Sequence, residues 1–422
     1  MMTQGNPLRI SKELFYDLEK QIQGRLAEND LRVLATQPEI IRGLNFILLE
    51  AIRLNSSDIH LEAYHDRYEV RFRIDGLLHE MLPIPFQMGV GLASRIKVLA
   101  KLNISEKVLP QDGRFAITAD QKIIELRVSV IPMIFGEGIV IRILDKSSVK
   151  LDLTSIGIDG TGLKIIQENM KRSSGIVLVT GPTGSGKTTT LYAIINELNQ
   201  TDTKIVTTED PVEYDINGIM QVEIKPEIGL TFASSLRSIL RQDPDIILIG
   251  EIRDTETAKI AIEASLTGHL VLSTVHTRST AGTISRLVDM GVEPYLLADT
   301  INLIVAQRLV RTICKTCRES YIPGEEEILS LDVQLDSPAI FYRGKGCRQC
   351  NFTGYRGRIG LFEIMDITCE ERGLIGNMEG SESLYKRVKE KGMVSLREDG
   401  VRKMLEGTTT YAEVMENTYV TF

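Results

Sequence analysis

Long apolar runs, a disulfide-forming set of cysteines and an excess of positive charge are all missing from this 422-residue chain. No run of about 18 apolar residues occurs, and residues 1–20 mix charges with Leu and Ile. Neither a membrane span nor a signal peptide is expected, which places the protein in the cytoplasm. Five cysteines are too few for a disulfide framework. With 49 basic against 57 acidic side chains the net charge is −8, so no general attraction to nucleic acid is expected. A basic segment interleaved with aromatics is also absent, which argues against a DNA translocase. There is no internal repeat and no low-complexity tract. What is present is an ordinary globular composition, 43% hydrophobic and 25% charged, in a length that suggests about two to four domains.

Apolar positions at helical spacing (Leu14, Leu18, Ile22, then Ile40, Ile41, Leu44, Ile47, Leu48) predict a helical opening segment, 1–44. Residues 45–145 predict an α+β domain. Val70, Phe72 and Ile74 alternate with charged residues ahead of an Asp75-Gly76 hairpin turn, a helix spans 88–102, and strands cover 115–118, 123–130 and 139–144. Residues 146–162, rich in Asp, Ser, Thr and Gly, read as a linker or hinge. Over 163–312, apolar strands at 176–180, 204–208, 246–249 and 270–274 alternate with helices at 187–198, 232–241, 255–266 and 280–290. Continuous apolar strands between helices predict an α/β layer fold with a mostly parallel sheet covered on both faces. A cysteine-bearing segment, 313–356, and a helical C-terminal region, 357–422, complete the chain.

Gly181-Pro182-Thr183-Gly184-Ser185-Gly186-Lys187-Thr188 fits the phosphate-binding loop and lies between an apolar strand and a helix. Its backbone N–H groups, joined by Thr189, are expected to turn onto the phosphates of ATP. Lys187 would reach the β and γ phosphates, and the Thr188 hydroxyl would ligate Mg²⁺. Glu251 ends the apolar strand 246–249 and is the expected activator of water, in a strand lacking the Asp usual beside the metal. Glu209, Asp210 and Glu213 end another strand and predict a carboxylate cluster able to hold the Mg²⁺ water shell or to position water. His269 and His276 flank strand 270–275, so at most one reaches the nucleotide edge, and His276 at the carboxyl end is favoured as a γ-phosphate sensor.

Cys314-Lys315-Thr316-Cys317 and Cys347-Arg348-Gln349-Cys350 form a four-thiolate layout suited to tetrahedral Zn²⁺ in a reducing compartment. Four ligands leave no position for water, so a structural site is expected; Cys369 lies outside the pattern.

Residues 207–214, the strand ending in Glu251-Ile252-Arg253-Asp254, and the stretch from Thr267-Gly268-His269 to His276-Thr277 resemble the Asp box, Walker B and His box of the type II secretion and type IV pilus assembly ATPases. Ser57-Asp58-Ile59-His60-Leu61-Glu62, Arg71-Phe72-Arg73-Ile74-Asp75-Gly76 and Pro110-Gln111-Asp112-Gly113-Arg114 resemble that family's PAS-like amino-terminal domain, so the resemblance covers roughly Asn45 to Thr421. It implies a hexameric motor with a RecA-like core, driven by ATP and Mg²⁺, in which Arg127 and Arg142 reach the phosphates. Arg237, Arg241 and Arg253 could line the same region, with ion-pair roles equally open. The implied partners are an inner-membrane platform protein and the cytoplasmic domain of a membrane assembly protein, with peripheral membrane association through them. The tetracysteine segment looks like that of the assembly and secretion ATPases rather than the pilus retraction ATPases, and residues 288–294 and 396–403 look more like the secretion branch than the pilus branch. Pilus assembly or a DNA-uptake pseudopilus is the alternative within the family, and a nucleotide-gated scaffold the alternative outside it. The stretch before Asn45 is shorter than the extra amino-terminal domain by which many relatives dock, which leaves recruitment through the helical start, through the platform protein alone or through a further partner as the open alternatives.

Overall fold

The computed structural model describes residues 35–119, 122–144, 152–331, 333 and 339–418. Leu14, Leu18, Ile22 and the start of the expected linker, 146–151, lie outside the described residues. The chain divides into two compact units, Met1–Val149 and Lys150–Phe422.

The first unit runs helix Pro38–Arg53, β1 (Ser56–Ala63), β2 (Arg67–Ile74), β3 (Leu77–Pro85), helix Phe86–Leu99, β4 (Gln111–Ala119), β5 (Lys122–Met133) and β6 (Gly136–Leu144). Its antiparallel sheet has the order β3-β2-β1-β6-β5-β4. The turn from β2 to β3 has Asp75 at φ 48° and Gly76 at φ 90°, the pair of left-handed residues that a two-residue hairpin of matching twist requires. Ile40, Leu44, Ile47, Leu48 and Ala51 line one helical stripe and bury against Val70 and Phe72 of the sheet core. That helix crosses the expected 44/45 boundary, because its apolar face belongs to the core of the following sheet. β1 was not anticipated; its Ser-Asp-Ile-His-Leu-Glu run carries too few apolar residues to announce a strand.

A buried ionic group ties the loop before β4 to β6. Lys97 is 0% exposed, donates to the Glu106 carbonyl oxygen at 2.6 Å, and pairs with Glu137, whose other oxygen meets Lys107. Removing one partner of a buried pair strands the other charge in low dielectric. Glu137→Ala is therefore expected to lower the unfolding free energy by about 3–5 kcal/mol in urea denaturation. A change under about 1 kcal/mol would mean that Lys97 finds other compensation.

The second unit holds helix Gly160–Met170, β7 (Gly175–Thr180), helix Lys187–Leu198, β8 (Ile205–Glu209), β9 (Met220–Glu223), helix Phe232–Ile239, β10 (Ile246–Ile249), helix Thr255–Leu266 and β11 (Leu270–Val275). Helices Thr280–Asp289 and Pro294–Thr300 lead to β12 (Ile301–Ile313), β13 (Arg318–Tyr321), helix Glu325–Leu329, β14 (Phe341–Gly344) and β15 (Tyr355–Asp366). Helices Cys369–Gly376, Gly380–Glu390, Leu396–Leu405 and Tyr411–Asn417 close the unit. The seven-stranded sheet has the order β15-β12-β7-β11-β10-β8-β9, parallel throughout except for β15 against β12. Successive residues of one strand serve opposite cores: Ile176, Leu178, Ile247 and Ile249 join one apolar cluster, and Val177, Val179, Ile246 and Leu248 the other. This two-sided burial is why these strands read as unbroken apolar runs. Residues 357–366, expected in a helical region, instead form most of β15 and complete the core sheet.

Candidate functional site

The glycine loop joins the carboxyl end of β7 to helix Lys187–Leu198, whose first amides face the loop. Gly186 sits at φ 87°, and a Cβ there would lie 2.8 Å from Gln307 Nε2, so both conformation and space demand glycine. Pro182, Thr183, Gly184 and Thr188 are exposed along the rim, Thr189 is half-buried, and Ser185 is buried with its hydroxyl unbonded. Lys187 is buried; its Nζ donates to the carbonyl oxygens of Gly181 and Pro182, each at 3.0 Å, and so lies over the loop. Burial pulls the Lys187 ammonium below its ordinary pKa, an effect opposed by Glu251 and reinforced by Arg308.

Glu251 leaves β10 at the same sheet edge. It is buried, with Oε2 3.1 Å from His276 Nε2 and Oε1 2.5 Å from an Arg253 guanidinium nitrogen. β10 and β11 are adjacent and parallel, which delivers Glu251 and His276 side by side. His269 sits at the opposite end of β11, its Nδ1 2.9 Å from the Ala264 carbonyl oxygen. The three carboxylates after β8 do not converge. Glu209 is buried and accepts from Thr207 at 2.5 Å, from Gln221 at 3.1 Å and from the Tyr192 hydroxyl, whereas Asp210 is exposed. Burial foremost, and then the Glu209 charge, raise the Tyr192 phenol pKa, so it stays a donor.

In the first unit Arg127 of β5 lies directly opposite Arg142 of β6. Arg142 Nε donates to Asp58 at 3.0 Å. Arg253 was left open by the sequence; its signal was proximity, two residues past Glu251, with which it pairs. Gln307 gave no sequence signal at all.

The hairpin pairing of β13 with β14 brings the two Cys-x-x-Cys turns together. Their four Sγ atoms lie within 4.8 Å of one another, with separations of 3.8 Å (Cys314–Cys347), 3.7 Å (Cys317–Cys350) and 3.7 Å (Cys347–Cys350). Ligands about 2.3 Å from a tetrahedral Zn²⁺ stand about 3.8 Å apart, so the donor set fits that ion and does not fit disulfides. Burial, then the neighbouring Cys350 and Cys314 sulfurs, push the Cys317 thiol up to about 12. Cys369 is exposed and outside the cluster.

A glycine loop between strand and helix, with a buried carboxylate at the same edge of a parallel sheet, defines the phosphate-binding-loop ATPases as a class. Within that class the chain belongs to the Type II/IV secretion system protein family, whose model matches residues 34–416. It is 48% identical to the type II secretion system protein E of Pseudomonas aeruginosa over 90% of this chain and 75% of that one. It is 47% identical to the type IV pilus assembly ATPase PilB of Myxococcus xanthus over 98% of this chain and 72% of that one. Among solved structures it resembles the pilus retraction motor PilT with bound ADP, at a TM-score of 0.61 and 26% identity over 89% of this chain and 97% of that one. Identities of 48% and 47% do not separate the secretion from the pilus branch. No helix among the described residues is long and apolar enough to cross a membrane.

Proposed function

We propose that this chain is an ATP-hydrolysing motor that powers assembly of a secretion pseudopilus or pilus at the cytoplasmic face of the inner membrane. The observation that carries the reading is Glu251, buried at the sheet edge beside the phosphate loop and held by His276 and Arg253. The loop amides and Lys187 hold the β and γ phosphates, and Thr188, on the exposed rim, would hold Mg²⁺, which neutralises phosphate charge when bound. Glu251 takes a proton from water as the water oxygen bonds to the γ phosphorus; the bond to the bridging oxygen breaks, and its electron pair leaves with ADP. Arg253 and His276 orient Glu251, with His276 placed to sense the γ phosphate. Glu209, turned inward, acts by fixing the end of β8.

In this reading 45–145, together with the helix that enters it from Pro38, is a PAS-like domain supplying Arg127 and Arg142. Residues 163–312 together with β15 are a RecA-like core and 313–354 a zinc segment, with the hinge ending before Leu153, which is buried in the second unit's core. Six copies form the ring, docked on a platform protein and on the cytoplasmic domain of a membrane assembly protein. The family match and the 48% identity to a secretion ATPase support it. Lys187→Ala should weaken ATP binding about 10- to 100-fold, the ratio lost with a charge-assisted bond of about 1.5–3 kcal/mol, in titration calorimetry. Undiminished affinity would remove Lys187 from the phosphate site. Steady-state turnover of size-resolved monomer and ring then separates a motor from a nucleotide-gated scaffold.

A further inference from the structure

We infer that Gln307 is a positioning residue for the phosphate loop, holding its glycine turn and the first turn of the following helix in the shape that receives polyphosphate. The inference rests on the nucleotide-binding reading above. β12 runs parallel to β7, with Ala306 paired to Thr180 as the last step of the ladder. Gln307 is the next residue, level with the point where the partner strand leaves for the loop. In β12 the run Ile301–Gln307 is fully buried, and an amide there is costly unless bonded. Gln307, 2% exposed, meets that demand on the loop: its Oε1 accepts from Thr190 Oγ1 at 2.7 Å. Thr190 is itself fully buried in the first turn of helix Lys187–Leu198, and its N–H donates to the Gly186 carbonyl oxygen at 3.1 Å.

The other end of the amide lies against the loop. Nε2 is 2.8 Å from where a Gly186 Cβ would stand, and the Gln307 carbonyl oxygen is 2.5 Å from the corresponding point at Gly181. One residue thus backs both the first and the last glycine of the turn. Its neighbour Arg308 fixes the backbone, donating to the Gln307 carbonyl at 2.9 Å and to the Arg278 carbonyl at 2.7 Å, two residues beyond His276. Gln307 points its polar atoms at the loop's rear, away from the exposed rim, so it acts through Gly186 and Thr190 and not on the nucleotide.

The test uses the full chain carrying Gln307→Leu, Thr190→Val, both together, or Thr190→Ser, with ATP affinity, KM, kcat and the melting temperature measured for each. Gln307→Leu and Thr190→Val should each raise Kd and KM about 5- to 30-fold while kcat stays within about twofold, because binding geometry is lost and the proton acceptor is untouched. The double variant should match the worse single one, since both remove one bond, and Thr190→Ser should behave as wild type. Wild-type Kd in Gln307→Leu, or losses that multiply in the double variant, overturns the inference. If Gln307→Leu fails to fold, Thr190→Val against Thr190→Ser decides it alone, equal affinities of the two sinking it. A wild type that binds no ATP removes the nucleotide reading and this inference together, whereas wild-type binding with an unaffected Gln307→Leu removes only the inference.

Discussion

Glu251→Gln is expected to bind ATP as tightly as the wild type and to turn it over about 10²- to 10⁴-fold more slowly, the range that a positioned proton acceptor contributes. The amide keeps the size of the side chain and an oxygen for Arg253, which stands 2.5 Å away, so the local structure should persist. It loses basicity, and with it the destination for the proton of the attacking water. Removing a negative charge beside the γ phosphate also relieves repulsion, so affinity should hold or rise. Glu209→Gln is the internal control. Its carboxylate already accepts from Thr207, Gln221 and Tyr192, so its loss should appear mainly as lower stability. Single-turnover hydrolysis with separately measured binding distinguishes the two, and near-wild-type turnover in Glu251→Gln would exclude it as the base.

Cys347→Ser should abolish stoichiometric zinc and release the pairing of β13 with β14. Cys347 approaches both Cys314, at 3.8 Å, and Cys350, at 3.7 Å, so it closes the ring of sulfurs between the two turns. A structural zinc supplies about 10–16 kcal/mol of apparent folding free energy at neutral pH, more than the small apolar cluster this segment shares with helices Leu396–Leu405 and Tyr411–Asn417 can replace. Metal analysis should read about one zinc per chain in wild type and none in the variant. Hydrogen exchange should speed up across β13 and β14. A variant that keeps full protection there without metal would mean that the cluster around Phe341 and Val401 suffices.

Much of the core was legible because its physics is local. Strand Ile246–Ile249 and helices Lys187–Leu198 and Thr255–Leu266 match the pattern-based ranges, since unbroken apolar runs and amphipathic stretches each have one economical solution. The loop, Glu251, His276 and the four cysteines were visible for the same reason: short spacing carries their chemistry. Arg253 on Glu251, Tyr192 on Glu209 and Gln307 on Thr190 were not visible, because each joins elements through tertiary contact. The three acids after β8 show the converse error. Adjacency in sequence suggested a shared cation, but Glu209 closes a strand buried on both faces and is bonded to Tyr192, Thr207 and Gln221, whereas Asp210 lies past the strand end and is exposed. β12 escaped notice because an apolar run after helix Pro294–Thr300 has no periodicity to separate strand from buried helix.

The antiparallel pairing of β12 with β15 ends at Ile313 opposite Tyr355, immediately before Cys314 on one side. The two strands are therefore the arms of a single long hairpin, and everything from Cys314 to Gly354 is its loop, large enough to carry its own small sheet and the four-cysteine cluster. Such an ornament lies outside the sheet's connectivity. Its length does not enter the strand order of the seven-stranded sheet, while Leu331 and Phe341 pack it against Val401, Met404 and Val414, so its shape is tied to the last two helices and not to the sheet.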